Sequence, residues 1–186
     1  MKLSCVIAIH NEEKYLPYSL LYLSNSIFDE VIVVLDRCTD NSERLIRKIT
    51  DDRFVIIQKK VQTWENGCSE AKNIGCERST GDVIMITDPD VILDINSVKK
   101  AMDILKENNK IEIIVFIYKL YTLFSNFERI RDEWLNLFGK ITRKLKIQPV
   151  RSGIYMIRKP LAVIPDTVGQ YDVLQQKYKC SSIITQ

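Results

Sequence analysis

Apolar residues along this chain fall in short, dense runs. Leu3 to Ile9 is nearly continuous and rich in β-branched side chains, and residues 31–35, 54–57 and 83–87 repeat the pattern. Runs of that length and make-up predict strands buried on both faces. Between them the spacing becomes helical. Leu16, Leu20 and Leu23 share one face of a helix expected over 13–24, and Leu45, Ile46 and Ile49 share one over 41–49. Asp40 and Glu43 are spaced as a capping box at the start of the second helix. A third helix is expected over 67–78, with Gly81 as a left-handed stop. A fourth begins near Asn96 and presents Val98, Met102 and Leu105. Residues 111–118 supply another strand. The alternation then weakens into a charged helix over 125–146, a strand over 153–157 and a short helix over 171–178.

Strand and helix in strict alternation imply right-handed crossovers, hence an α/β fold with a mostly parallel sheet and helices on both faces. No linker or repeat divides the chain, so residues 1–186 are expected to form a single domain. Its first half, to about residue 95, should carry the ligand. Open α/β sheets bind ligands beyond the carboxyl ends of their strands. Three loops meet that description: His10-Asn11-Glu12-Glu13, Asp36-Arg37-Cys38-Thr39-Asp40 and Asp88-Pro89-Asp90. All three are polar, acidic and at one edge of the sheet.

Composition narrows the classes. With 186 residues, 46% hydrophobic and 27% charged, the chain can build a real core, which excludes a disordered or low-complexity protein. Lys and Arg number 27 against 24 acids, a net charge of +3, so no nucleic-acid partner is expected. The five cysteines are scattered without a C-x-x-C pair, and His10 is the single histidine; reduced thiols in a cytoplasmic protein are expected rather than a zinc set. No secretory leader is read at the start. The longest apolar run, 111–124, is broken by Glu112 and Lys119 and falls short of the ~20 residues of a spanning helix. The expectation is a soluble protein, at most peripheral to the inner face of a membrane.

Asp88-Pro89-Asp90 closes a buried strand. Residues two apart in extended backbone point the same way, so the two carboxylates can converge, and magnesium or manganese is commonly held by one or two carboxylates plus phosphate oxygens. The same tripeptide is also ordinary turn vocabulary. The other loops tip the balance. Val6 to Glu13, Val31 to Asp40, Glu70-Ala71-Lys72-Asn73-Ile74-Gly75 and Gly81 to Asp90, in that order, resemble the family 2 glycosyltransferases with a GT-A fold. That resemblance implies an inverting enzyme that uses a nucleotide-diphosphate sugar, a UDP- or GDP-sugar, with Mn²⁺ or Mg²⁺. It places His10, Asn11 and Glu12 at the nucleotide pocket, with His10 as a wall or contact. It sets Asp36 against the base, Lys72 near the nucleotide, Asp88 near the ribose and Asp90 on the metal. The family's second loop commonly carries two adjacent acids, whereas Leu35 precedes Asp36 here.

The later half matches more loosely. Ser152 to Lys159 looks like the segment before the family's catalytic acid, and Tyr171-Asp172-Val173-Leu174 resembles the motif whose Asp is the base, with Tyr171 in place of the usual Glu. Asp172 is therefore the implied base, and Asp166, after Pro165, is the competing acid. Further helices common in the family are expected to be missing after the final helix, so the acceptor-side half reads as truncated. Trp134, Phe138, Ile141 and Leu145 recur at helical spacing beside Lys140, Arg143, Lys144 and Lys146. That stripe suits packing on the protein's own core, or weak contact with an anionic membrane, and the acceptor is read as a glycan or a lipid phosphate. The rival reading is a non-catalytic sugar-nucleotide-binding module. A Rossmann dehydrogenase is excluded because no glycine precedes Gly67.

Overall fold

The computed structural model describes residues 1–49, 51–64, 67–116, 154–159 and 180–183. Seven strands form one sheet: β1 (Leu3–Ile9), β2 (Glu30–Asp36), β3 (Phe54–Lys59), β4 (Val83–Thr87), β5 (Ile113–Phe116), β6 (Tyr155–Arg158) and β7 (Cys180–Ile183). Their spatial order is β3-β2-β1-β4-β6-β5-β7. All pairings are parallel except those of β6, which runs antiparallel to β4 and β5. The sheet is thus mostly parallel, as the alternation predicts. β7 was not anticipated: Cys180-Ser181-Ser182-Ile183 has no apolar run to announce it.

Four helices join the first five strands: α1 (Leu16–Leu23), α2 (Ser42–Ile46), α3 (Gly67–Arg78) and α4 (Ile95–Glu107). Alternate residues of β1 go to opposite faces, the period-2 geometry of a strand. Leu3, Cys5, Ile7 and Ile9 join a core with Leu16 and Leu23 of α1, Ile46 of α2, and Val98, Met102 and Leu105 of α4. Val6 and Ala8 face a second core with Ala71 and Cys76 of α3. Helices therefore cover both faces, with α3 alone on the second among the described residues.

Local departures from the sequence reading have identifiable causes. The β3 strand is only half-buried along residues 54–57 because it is a sheet edge, whereas Lys59 at its end is buried against Asp36 and Glu70. α1 starts at Leu16 rather than residue 13, since the Glu12 carbonyl takes the Tyr15 and Leu16 N–H groups in a preceding turn. The capping box on α2 does not form: the N-cap is Asn41, whose side chain makes no capping bond. Asp40 accepts the Ser42 N–H at 2.9 Å, but its own N–H goes to Asn11, and Glu43 pairs with Arg47 and Gln58. Gly81 does not take a left-handed conformation. It is small because Ser4 is close: a Cβ there would lie 2.6 Å from Ser4 Oγ, which instead accepts the Gly81 N–H at 2.9 Å. The expected helices over 125–146 and 171–178 lie outside the described residues.

Candidate active site

The loops after β1 and β2 are knitted into one unit. Asn11 takes a left-handed backbone, φ 57°, which asparagine tolerates, and its Oδ1 accepts from the Thr39 N–H at 2.7 Å and the Asp40 N–H at 3.3 Å. Ser42 Oγ accepts the Glu12 N–H at 2.8 Å, and Glu13 accepts the Asn41 N–H at 2.9 Å. His10 Nδ1 donates to the Asp36 carbonyl at 2.6 Å, because a carbonyl oxygen can only accept. That bond fixes the tautomer and leaves Nε2 of this exposed ring turned away from it. Asn11, expected at the pocket, is thus also the clamp that orders the neighbouring loop.

Asp36 ends β2 with its side chain only 4% exposed. It is paired with Arg37 Nε at 2.8 Å and Lys59 Nζ at 3.0 Å, and Lys59 also meets Glu70 at 2.9 Å. Burial pushes the Asp36 carboxyl up, but the bonds from Arg37 and Lys59 outweigh it and hold the group below the usual carboxylate range. Lys59 is the cation that reconciles two buried acids from different elements. Sequence reading missed Lys59, Arg37 and the partner role of Glu70. A lysine closing a strand that opens with the apolar run 54–57 was the available signal.

Asp88 and Asp90 do not lie on extended backbone. The Asp88 carbonyl accepts the Val91 N–H at 3.2 Å, so 88–91 is a β-turn. Ser19 of α1 donates from Oγ to the Pro89 carbonyl and ties the turn to the helix. The turn vocabulary describes the backbone correctly, and it still leaves the acids in one electrostatic neighbourhood. Lys72, buried on α3, holds Asp88 Oδ1 at 2.5 Å. Burial works against the Lys72 charge, and Asp88, with help from Asp90, more than restores it, so its pKa stands above the ordinary lysine value. Glu12 and Asp90 go the other way. Burial raises both carboxyls, and like charge adds to it: Asp90, Asp40 and Asp88 act on Glu12, and Asp88 acts on Asp90.

The structure therefore brings His10, Asn11, Glu12, Asp36, Lys72, Asp88 and Asp90 to the carboxyl edge of β1, β2 and β4. Asp172 and Asp166 lie outside the described residues. Among the described residues, no three His, Cys, Asp or Glu side chains stand together as a ready-made metal cage. Cys5, Cys38, Cys68 and Cys76 are free thiols. No described helix is long and apolar enough to cross a membrane.

The model of "Glycosyl transferase family 2" matches residues 4–159. A probable glycosyltransferase of Sulfolobus acidocaldarius is 31% identical over 180 residues, covering 87% of this chain and 38% of that protein. The probable glycosyltransferase YdaM of Bacillus subtilis is 26% identical, covering 86% of this chain and 41% of its own length. The chain thus spans about two fifths of these relatives. Among solved structures, M. tuberculosis glucosyl-3-phosphoglycerate synthase superposes with a TM-score of 0.66 at 18% identity, over 98% of this chain and 70% of that one. S. aureus TarS 1–349 in complex with UDP-GlcNAc gives 0.56 at 20% identity, over 67% and 36%. The fold is GT-A, and the chain belongs to glycosyl transferase family 2.

Proposed function

We propose that this chain moves a sugar from a nucleoside-diphosphate sugar to an acceptor hydroxyl, with inversion and with the help of Mn²⁺ or Mg²⁺. The observation that carries the reading is the charge imbalance at the sheet edge. Glu12, Asp88 and Asp90 act on one another as like charges, Lys72 answers Asp88, and the carboxyls of Glu12 and Asp90 are pushed up by burial and by their neighbours. A divalent ion held there would relieve such a corner and offset the charge of a diphosphate. One or two carboxylates with phosphate oxygens is the usual Mg²⁺ set. Asp90 is the proposed ligand, with Asp88 held by Lys72 toward the ribose. A metal bound there would supply charge for the departing diphosphate. His10, Asn11 and Glu12 wall the nucleotide.

TarS and glucosyl-3-phosphoglycerate synthase have been solved with UDP, which supports a uridine nucleotide as the first donor to test. Asp172 is proposed as the base that takes the acceptor's proton, and the acceptor is proposed to be a glycan or a lipid phosphate. The test is thermal unfolding with UDP or GDP, with Mn²⁺ or with chelator. UDP is expected to raise Tm mainly when the metal is present, and Asp90→Asn to lose most of that metal-dependent shift while unfolding normally without ligand. Equal stabilisation with metal and with chelator would remove the metal from the reading.

A further inference from the structure

Asp36 cannot greet a ligand as a bare acceptor. Its side chain is 4% exposed, Oδ1 already accepts from Arg37 Nε and Lys59 Nζ, and Oδ2 accepts from Arg37 Nη2 at 3.3 Å. A carboxylate has about four lone-pair sites, and three are engaged. The group of this pair that reaches solvent is Arg37, whose side chain is 37% exposed. Its backbone is held in the left-handed region, φ 50°, where a non-glycine residue is uncommon. The Arg37 N–H is fixed to the Lys59 carbonyl at 3.0 Å. On the far side Gly67, the first residue of α3, leaves room: a Cβ there would stand 3.2 Å from Arg37 Nη2 and 2.7 Å from Gln62 Oε1. The guanidinium is thus clamped between a buried acid and a helix start.

Resting on the donor-nucleotide reading above, we infer that Arg37, rather than Asp36, meets the nucleobase, and that it selects bases carrying a carbonyl oxygen. A guanidinium has five N–H donors. Nε and one Nη2 hydrogen are used on Asp36, which leaves donors for the outer face. Uracil offers carbonyl acceptors and guanine offers O6 with N7, whereas adenine has no carbonyl. The strained backbone, the fork on Asp36 and the space at Gly67 all hold one donor plane in place before a ligand arrives. Preorganised donors discriminate because no side-chain freedom is lost on binding.

The experiment is calorimetric titration of UDP, GDP and ADP, each with Mn²⁺, into the unaltered protein, Arg37→Gly and Arg37→Lys. Glycine accepts φ 50°, and Lys59 remains on Asp36, so Arg37→Gly should unfold near the normal temperature without ligand. The unaltered protein is expected to prefer UDP and GDP over ADP, and Arg37→Gly to weaken UDP about tenfold and bring the UDP and ADP affinities close together, on the scale of one charge-assisted hydrogen bond. Arg37→Lys keeps the charge but not the fork, so it should lose the preference too; it decides the matter alone if the glycine variant fails to fold. UDP bound as tightly and as selectively by the variants as by the unaltered protein would overturn the Arg37 role and leave the donor reading standing. Binding of no nucleoside diphosphate by the unaltered protein would overturn both.

Discussion

Glu70 stands one turn into α3, with its carboxylate against the Thr63 hydroxyl and N–H and 2.9 Å from Lys59. Thr63 first, then Lys59, draws its carboxyl from about 4.5 down to about 2. A group whose folded pKa is depressed adds stability above its unfolded pKa and loses it as pH falls toward the folded value. The Tm of the unaltered protein should therefore drop as pH is lowered from about 4.5 toward about 2. Glu70→Gln should start lower at neutral pH and fall less steeply across that window, as read by thermal unfolding in a pH series. An acid limb of unchanged slope would mean that other carboxylates govern it. Which acids the site contains was legible from the sequence, since Glu12, Asp36, Asp88 and Asp90 all sit at strand ends. What each acid touches was not. Asp36 reads as a base-binding carboxylate until Lys59, 23 residues away, is seen paired with it. Pairing across a sheet edge depends on register, which leaves no periodic trace in a single sequence.

At the scale of elements, α3 does most to position the site. It carries Glu70 and Lys72 toward the sheet edge and lies against β1 and β2 on a face it shares with no other described helix. Gly75 sets that approach. A Cβ there would stand 2.4 Å from Val6 Cγ1 and 3.3 Å from Val34 Cγ2. Gly75→Ala gains about 1 kcal/mol of helix propensity, yet overpacking a core typically costs about 1–3 kcal/mol. Val6 belongs to a central, fully buried strand that cannot retreat cheaply, so the clash should win. The expected outcome is a lower urea midpoint with an unchanged slope, and weaker UDP binding because Lys72 moves with the helix. A midpoint at or above that of the unaltered protein would show that α3 can lift off the sheet at little cost. Strong elements were legible because their apolar periods are unbroken: β1, β2, β4 and α4 lie where the pattern predicts. The reading failed where tertiary contacts overrule local signals, as at Gly81, at the unformed capping box on α2, and at β7, which is paired with β5 without an apolar run of its own.

At the scale of the molecule, the proposed donor corner is assembled from residues before 95, while the proposed inversion would require a proton acceptor on the opposite side of the sugar. In the proposed arrangement Asp90 holds the metal beside the diphosphate and Asp88 lies toward the ribose, already engaged by Lys72. The proposed chemistry would therefore need an acid from another part of the chain. Asp166 and Asp172 are the acids after residue 150. Asp166 follows Pro165 in turn-like sequence, and Asp172 opens the motif that resembles the family's base. A carboxylate near its ordinary pKa of ~4 is ionised at neutral pH and ready to accept the acceptor's proton. Binding and transfer should then separate cleanly. Asp172→Asn is expected to bind UDP with Mn²⁺ as the unaltered protein does, while sugar transfer from a UDP-sugar falls about 10²-fold or more, the scale of general-base catalysis. Asp166→Asn should be much milder. Transfer by Asp172→Asn near the unaltered rate would move the base to Asp166 or to a residue of a partner chain, and would leave the donor corner untouched.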